Sequence, residues 1–182
     1  MITVTTSVEV VSFWRHAGDE RWFEKDDDFD RTVTSRFLTT YEAASGGELA
    51  AWEANAEGAL ALVIVLDQFP RNMFRGSARA FAADSLARAV ADRALAQGFD
   101  KMTEQSLRQF FYLPFMHSEL LDDQNRCLQL YESYGDANSL QYAITHRDII
   151  LKFGRFPHRN QVLGRSTTPA EDEFLRSGGF AG

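Results

Sequence analysis

Two segments of the sequence combine a Phe-Pro pair with arginine and asparagine in the same order. The first is Asp67-Gln-Phe-Pro-Arg-Asn72, and the second is Gly154-Arg-Phe-Pro-His-Arg-Asn160, which has one additional histidine. Arginine binds carboxylates and phosphates through paired hydrogen bonds, and histidine is the side chain that exchanges protons near neutral pH. These residue types favour a pocket that binds a small anionic ligand, with or without enzymatic turnover.

The candidate site residues are concentrated in the second half of the chain. Residues 146–165 contain seven histidines, lysines and arginines against one acid, Asp148. We predict that Arg71, Arg155 and Arg159 clamp the anion and that His158 or His117 exchanges a proton. This requires the two segments to be neighbours in the fold. The predicted ligand-binding residues are Asp67, Arg71, Asn72, His117, Glu119, His146, Arg155, His158, Arg159, Asn160 and Arg165.

A structural interpretation of the same residues stays open beside the functional one. Proline ends a helix, and an arginine just beyond a helix can donate to the carbonyls that the helix leaves unbonded. Asp67 and Glu119 would then balance the arginines in a closed network with nothing bound. His146 borders the apolar stripe of its helix, which is typical of a buried, hydrogen-bonded histidine.

The sequence identifies no metal site, cofactor or catalytic residue. His117, Glu119, His146 and His158 are metal-ligand types, but their spacing matches no metal motif. No glycine-rich phosphate loop precedes a helix. Cys127 lies among leucines, which predicts a buried and inert thiol.

Length and composition favour a globular, cytoplasmic protein with a single domain over residues 1–182. Hydrophobic residues make up 45% of the chain and charged residues 25%, and there is one cysteine. The longest apolar run, from Ala59 to Leu66, is far shorter than the ~20 residues that cross a bilayer. Residues 1–60 hold 5 Lys/Arg and 12 Asp/Glu, whereas the remaining residues carry 14 of each. The sequence pI of about 5.1 disfavours nucleic-acid binding, and the sequence does not determine the oligomeric state.

Caps, glycines and prolines predict helices throughout, and hence an all-α fold. Thr6 and Glu9 have the spacing of a capping box, as do Thr168 and Glu171. The segment Val63-Ile-Val65 could be a buried strand, but its neighbours favour a helix that ends before Pro70. The predicted helices run from Thr6 to near Gly18, over 28–44, twice within 48–66 with a break around 55–58, and over 77–97, 103–113, 118–135, 138–153 and onward from Thr168.

Three separated motifs resemble the bacterial domain-of-unknown-function 924 family. They are the two Phe-Pro segments and Phe111-Tyr-Leu-Pro-Phe-Met-His-Ser-Glu119, and Leu163-Gly-Arg-Ser-Thr167 follows the last of them. The resemblance runs from about Val8 to Leu175, although Arg15-His16 replaces the more usual aromatic residue and glycine. It implies an all-α, tetratricopeptide-like fold and implies no activity.

The resemblance also supplies a competing function class. Tetratricopeptide-like scaffolds can act as non-catalytic protein-interaction modules that use a helical groove. That function predicts an exposed apolar or charged groove away from the motifs. The third interpretation, in which the motifs are purely structural, predicts that their loss affects stability alone.

Overall fold

The computed structural model describes residues 4–134 and 136–180 of the chain. Every regular element within these residues is helical, so the prediction of an all-α fold is confirmed. None of the described helices is long and apolar enough to span a bilayer. The described residues divide into two compact units: unit 1 ends at Pro114 and unit 2 begins at Phe115. The single domain predicted for 1–182 stays a prediction.

Both units contain α-helices and short 3-10 helices. The α-helices of unit 1 are α1 (Ser7–Ala17), α2 (Asp19–Trp22), α3 (Asp27–Ser45), α4 (Ala56–Val63), α5 (Phe69–Met73), α6 (Asp84–Ala96), α7 (Phe99–Met102) and α8 (Gln105–Arg108). Helix α9 (Leu113–Met116) contains the division between the units. Those of unit 2 are α10 (Leu121–Tyr134), α11 (Ala137–Phe153) and α12 (Pro169–Arg176). Short 3-10 helices cover Ala50–Ala54, Ala78–Phe81, Gln109–Phe111 and Pro157–Arg159.

Aromatic side chains form the core of unit 1. Trp14, Phe37 and Phe69 are fully buried. The Phe69 ring lies 4.7 Å from Phe37 and 5.6 Å from Trp14, measured between ring centroids. Phe69 belongs to the first Phe-Pro motif, so this burial fixes the backbone on which Arg71 is carried.

The prediction that a helix ends before Pro70 is wrong. Helix α4 passes into a π-helix over Ile64–Gln68, which leads directly into α5. The Phe69 N–H donates to the Ile64 carbonyl five residues earlier. A proline cannot donate to the preceding turn and crowds the carbonyl four residues before it. The wider turn accommodates Pro70 in the first turn of α5, where its missing N–H costs little.

Three other predicted helices are divided or begin later than predicted. The Thr103 hydroxyl donates to the Phe99 carbonyl at 2.9 Å, and 103–113 is divided among α8, a 3-10 turn and α9. Ser77 caps a 3-10 helix, so the long helix begins only at Asp84. Helix α10 begins three residues after Ser118. Its predicted end, residue 135, lies outside the described residues.

Both predicted capping boxes are present, and the helix before the second motif ends as predicted. Helix α11 ends at Phe153, where Gly154 takes the left-handed conformation at φ +68° and donates to the Ile150 carbonyl at 2.8 Å. The chain then returns over a core of unit 2 that contains Ile149, Ile150 and Phe156. This return positions the second motif.

Gly58→Ala is expected to destabilise the protein by about 2 kcal/mol, because close-packed sites tolerate added atoms poorly. A Cβ at this position would overlap the Trp52 carbonyl oxygen, and the Asn55 side chain already holds the Gly58 N–H at 2.9 Å. Urea denaturation measures the change. The control is Gly46→Ala, where the nearest atom, the Glu42 carbonyl oxygen, would be 3.4 Å away. Equal stability of the two variants would contradict the close approach.

Candidate functional site

Arg71 connects two carboxylates in unit 1. Its guanidinium donates to both Asp84 oxygens at 2.9 and 3.0 Å, and its Nη1 lies 3.4 Å from the Asp67 carboxylate. The same nitrogen donates to the Asp67 backbone carbonyl at 2.6 Å. Although burial acts to lower it, the two carboxylates raise the pKa of Arg71 above its ordinary value. We call Asp67, Arg71 and Asp84 the Arg71 network.

Asn72 bonds to a second acid of unit 1. Its amide donates to Asp30 at 2.7 Å, and Arg75 donates to the same carboxylate at 2.8 and 3.1 Å. Asp67 is fully buried and also accepts from the Gln68 side chain at 2.5 Å. The polar residues of the first motif are therefore held by partners within unit 1.

Arg155 pairs with an acid at the start of α12. Its guanidinium donates to Glu171 at 2.6 and 2.9 Å and to the Ser166 carbonyl at 2.8 Å. The Glu171 carboxylate also accepts from the Thr168 N–H at 2.7 Å. The Arg155 hydrogen bond is the largest cause that lowers the pKa of Glu171 to about 2. The capping acid predicted from sequence is thus also the counter-charge of Arg155.

Glu119 and Arg165 hold the loop of the second motif. Arg165 donates to the two Glu119 oxygens at 2.7 and 3.0 Å, to the Asn160 side chain at 3.0 Å and to the Phe156 carbonyl at 3.1 Å. Glu119 accepts from the Phe156 N–H at 2.8 Å. Burial would raise the pKa of Glu119, but these donors outweigh it and the pKa is lowered.

Three histidines and one arginine share a small region of unit 2, and we call His117, His146, His158 and Arg159 the imidazole cluster. Arg159 donates to the His117 backbone carbonyl at 3.0 Å, and its guanidinium lies 4.5 Å from the Phe156 ring centroid. The same ring lies 5.6 Å from His146 and 5.6 Å from His158. Cationic and imidazole groups therefore surround one aromatic side chain.

His146 and His158 differ in their hydrogen bonds. His146 is buried, and its Nδ1 lies 2.7 Å from the Tyr142 carbonyl. A carbonyl only accepts, so Nδ1 of His146 carries a proton and its Nε2 is the acceptor in the neutral ring. The Nδ1 atom of His158 is buried with no hydrogen-bond partner among the described residues. Such atoms are uncommon in proteins and costly to bury.

Both of these imidazoles are neutral at pH 7. Burial is the main cause that lowers the pKa of His146 to about 4, with His117, Arg159 and His158 as further causes. Burial is also the main cause that lowers the pKa of His158 to about 4. Arg159 acts in the same direction, and Glu119 opposes it. Besides burial, the neighbouring cationic groups thus act against protonation of both imidazoles. An anion placed there would act against these shifts and favour proton uptake.

The structure assembles the predicted site residues within each unit. Asp67, Arg71 and Asn72 lie in unit 1, where Arg71 bonds to Asp84 and Asn72 to Asp30, and Asp67 pairs with Arg71. In unit 2, Glu171 accepts from Arg155, and the Phe156 N–H donates to Glu119. A pocket shared by both motifs stays a prediction. Sequence reasoning missed Asp84, which lies outside the motifs and pairs with Arg71. It also missed Phe180, whose ring lies 4.5 Å from His146 and which carries no motif signal.

Two surface cavities in unit 1 lie away from these networks. One, of about 360 Å³, is lined in part by Glu53, Arg93 and Phe99. The other, of about 340 Å³, is lined in part by Val8 and Arg36. Neither lining includes a predicted site residue from the described part of the chain. The polar motifs are therefore not associated with either cavity.

The helical elements and the arginine–carboxylate networks at the Phe-Pro motifs define an all-α protein with polar motifs at helix ends. A family described as bacterial protein of unknown function (DUF924) matches residues 10–179. The chain belongs to this family, which confirms the resemblance seen in the sequence. No curated protein matches it.

A solved structure is similar to the chain over nearly its whole length. It is that of a protein of unknown function from Agrobacterium tumefaciens, with 46% sequence identity and a TM-score of 0.92. The match covers 94% of this chain and 97% of that chain. The comparison supports the fold.

Glu119→Gln is expected to lower the free energy of unfolding by about 2 kcal/mol, because Arg165 loses its partner in a partly buried site. Chemical denaturation measures the change. The matched control is Glu104→Gln, whose partner Arg15 is exposed, and which should cost less than about 1 kcal/mol. A loss at Glu119 no greater than at Glu104 would contradict a supporting role for this pair.

Stability is expected to fall as pH is lowered from about 6.5 to about 4. The unfolded chain protonates its histidines near 6.5, whereas the folded state holds the pKa values of His146 and His158 at about 4. The loss is on the order of 3 kcal/mol for His146 alone. Glu171 contributes only below about 4.5, since its pKa is lowered to about 2.

Denaturation curves across this pH range measure the effect. His158→Gln should flatten the dependence, whereas His16→Gln, at an exposed position in unit 1, should leave it unchanged. Stability that is constant from pH 6.5 to 4.5 would show that the two imidazoles are not held neutral by the fold.

Proposed function

We propose that unit 2 binds a small anionic ligand at the imidazole cluster. The observation that carries this proposal is the buried Nδ1 atom of His158, which has no hydrogen-bond partner among the described residues. An oxygen of a carboxylate or phosphate would supply that partner, because a protonated imidazole donates from both nitrogens. The charge-assisted hydrogen bond so formed is stronger than a neutral one.

The electrostatic surroundings of His158 favour an anion over a neutral ligand. Arg159, Arg165 and His117 act to lower the pKa of His158, and Glu119 is the acid that opposes them. Among the described residues that influence this pKa, positive groups therefore outnumber negative ones. An anion would be attracted to these positive groups and would raise the pKa of His158 on binding.

The arginine pairs give the cluster a fixed frame in this proposal. Arg155 and Arg165 hold Glu171 and Glu119, so we assign them to positioning the loop and not to clamping the anion. Asn160 accepts from Arg165 and belongs to the same frame. Arg71 and Asn72 have the corresponding role in unit 1. We assign contact with the ligand to His158, with His146 and the cationic Arg159 beside it.

Inorganic phosphate and acetate are suitable first probes of this site. Either anion, at about 100 times its Kd, should stabilise the protein by about 2.7 kcal/mol in thermal unfolding. Binding should be coupled to proton uptake, so the calorimetric enthalpy should change with the ionisation enthalpy of the buffer. His158→Gln should remove the stabilisation, and His16→Gln should retain it.

The purely structural alternative makes the opposite prediction for the same measurement. If neither anion stabilises the wild-type protein while Glu119→Gln still destabilises it, the motifs hold the fold and the proposed ligand site is wrong. Binding that survives His158→Gln would place the anion elsewhere and would likewise contradict the proposal.

A further inference from the structure

Phe180 places an aromatic ring directly on the imidazole cluster. Its ring centroid lies 4.5 Å from that of His146, with the planes at 58°, and 5.7 Å from that of His158, with the planes at 78°. Phe156 contacts the same two imidazoles at 5.6 Å. Each imidazole therefore contacts two phenyl rings, one from the loop and one from the segment after α12.

A turn that requires glycine brings Phe180 to this position. Helix α12 ends at Arg176, and Gly178 takes the left-handed conformation at φ +82°. The Gly179 N–H then donates to the Phe174 carbonyl at 2.9 Å. A Cβ on residue 179 would lie 2.5 Å from that carbonyl oxygen and 2.6 Å from the Phe174 ring. Only glycine allows the chain to pass Phe174 so closely.

From these contacts we infer that the ligand is an aromatic carboxylate and that Phe180 occupies the place of its ring until the ligand displaces it. The inference rests on the proposed anion site and adds the chemical class of the ligand. The carboxylate would meet His158 and Arg159, and the ring would take the inclined contacts with the imidazoles that Phe180 now makes. Phe180 therefore competes with the ring of the ligand for the contacts with His146 and His158.

The strength of ring contacts sets the expected size of the effect. Inclined aromatic pairs are worth a factor of roughly three to ten in an equilibrium constant beyond the area that they bury. Phe180 is itself only partly buried where it packs against the unit 2 core, so part of its ring is already in contact with solvent. A ligand ring should recover the contacts that Phe180 gives up.

The test compares benzoate with acetate, which carries the carboxylate without the ring. Isothermal titration of the full chain gives the ratio of the two affinities for the wild type, Phe180→Ala and Gly179→Ala. In Phe180→Ala the preference for benzoate over acetate should rise by roughly three- to tenfold. Gly179→Ala keeps the ring but disturbs the turn, so it should shift the ratio in the same direction.

Two control variants separate a local effect from a general one. Phe23→Ala removes an exposed phenyl ring in unit 1 and should leave the ratio unchanged. Adding His158→Gln to Phe180→Ala should abolish the gain for benzoate, because glutamine cannot take up a proton and so cannot give the carboxylate a charged donor.

The outcomes distinguish this inference from the proposed function. If phosphate or acetate binds in a His158-dependent manner but neither variant changes the benzoate preference, the inference about Phe180 is wrong and the anion site stands. If no anion binds the wild type or either variant, the proposed function is wrong and the inference falls with it.

Discussion

Guanidinium groups that donate to backbone carbonyls are the interaction on which both polar motifs depend. Arg71 donates to the Asp67 carbonyl, Arg155 to Ser166, Arg159 to His117 and Arg165 to Phe156. A carbonyl left without a donor where the chain departs from regular helix is costly to bury. One arginine satisfies such a carbonyl and pairs with a carboxylate at once, because its five donors point in different directions. Loss of a partner acid therefore leaves the guanidinium without its counter-charge and also weakens the hydrogen bond that holds the turn.

The same arrangement explains why histidine, and not arginine, carries the proposed function. The paired arginines are held by Asp84, Glu171 and Glu119 at hydrogen-bond distance, so an external anion would have to compete with an acid already in place. The imidazole of His158 has no such acid bonded to its Nδ1 atom within the described residues. A buried donor site beside cationic groups is a suitable place for a ligand oxygen.

The two Phe-Pro segments share their residue order and differ in backbone conformation. The first lies within a continuous helical path, because a π-helix over Ile64–Gln68 makes room for Pro70. The second follows the left-handed Gly154 and leaves the helix altogether. In each case a buried phenylalanine anchors the segment, Phe69 in unit 1 and Phe156 in unit 2. The same sequence motif therefore positions an arginine beside its carboxylate in two different backbone conformations.

The sequence by itself determined the all-α class, the capping boxes at Thr6 and Thr168, the end of α11 at Gly154 and the family, because these depend on local hydrogen bonding and on motif order. Tertiary structure decided which acid faces each arginine, since Arg71 meets Asp84 thirteen residues away and Arg165 meets Glu119 forty-six residues away. It also decided the burial of the His158 Nδ1 atom and the position of the Phe180 ring. Such pairings arise from packing between elements that are distant in the chain, and no local pattern of residues encodes them.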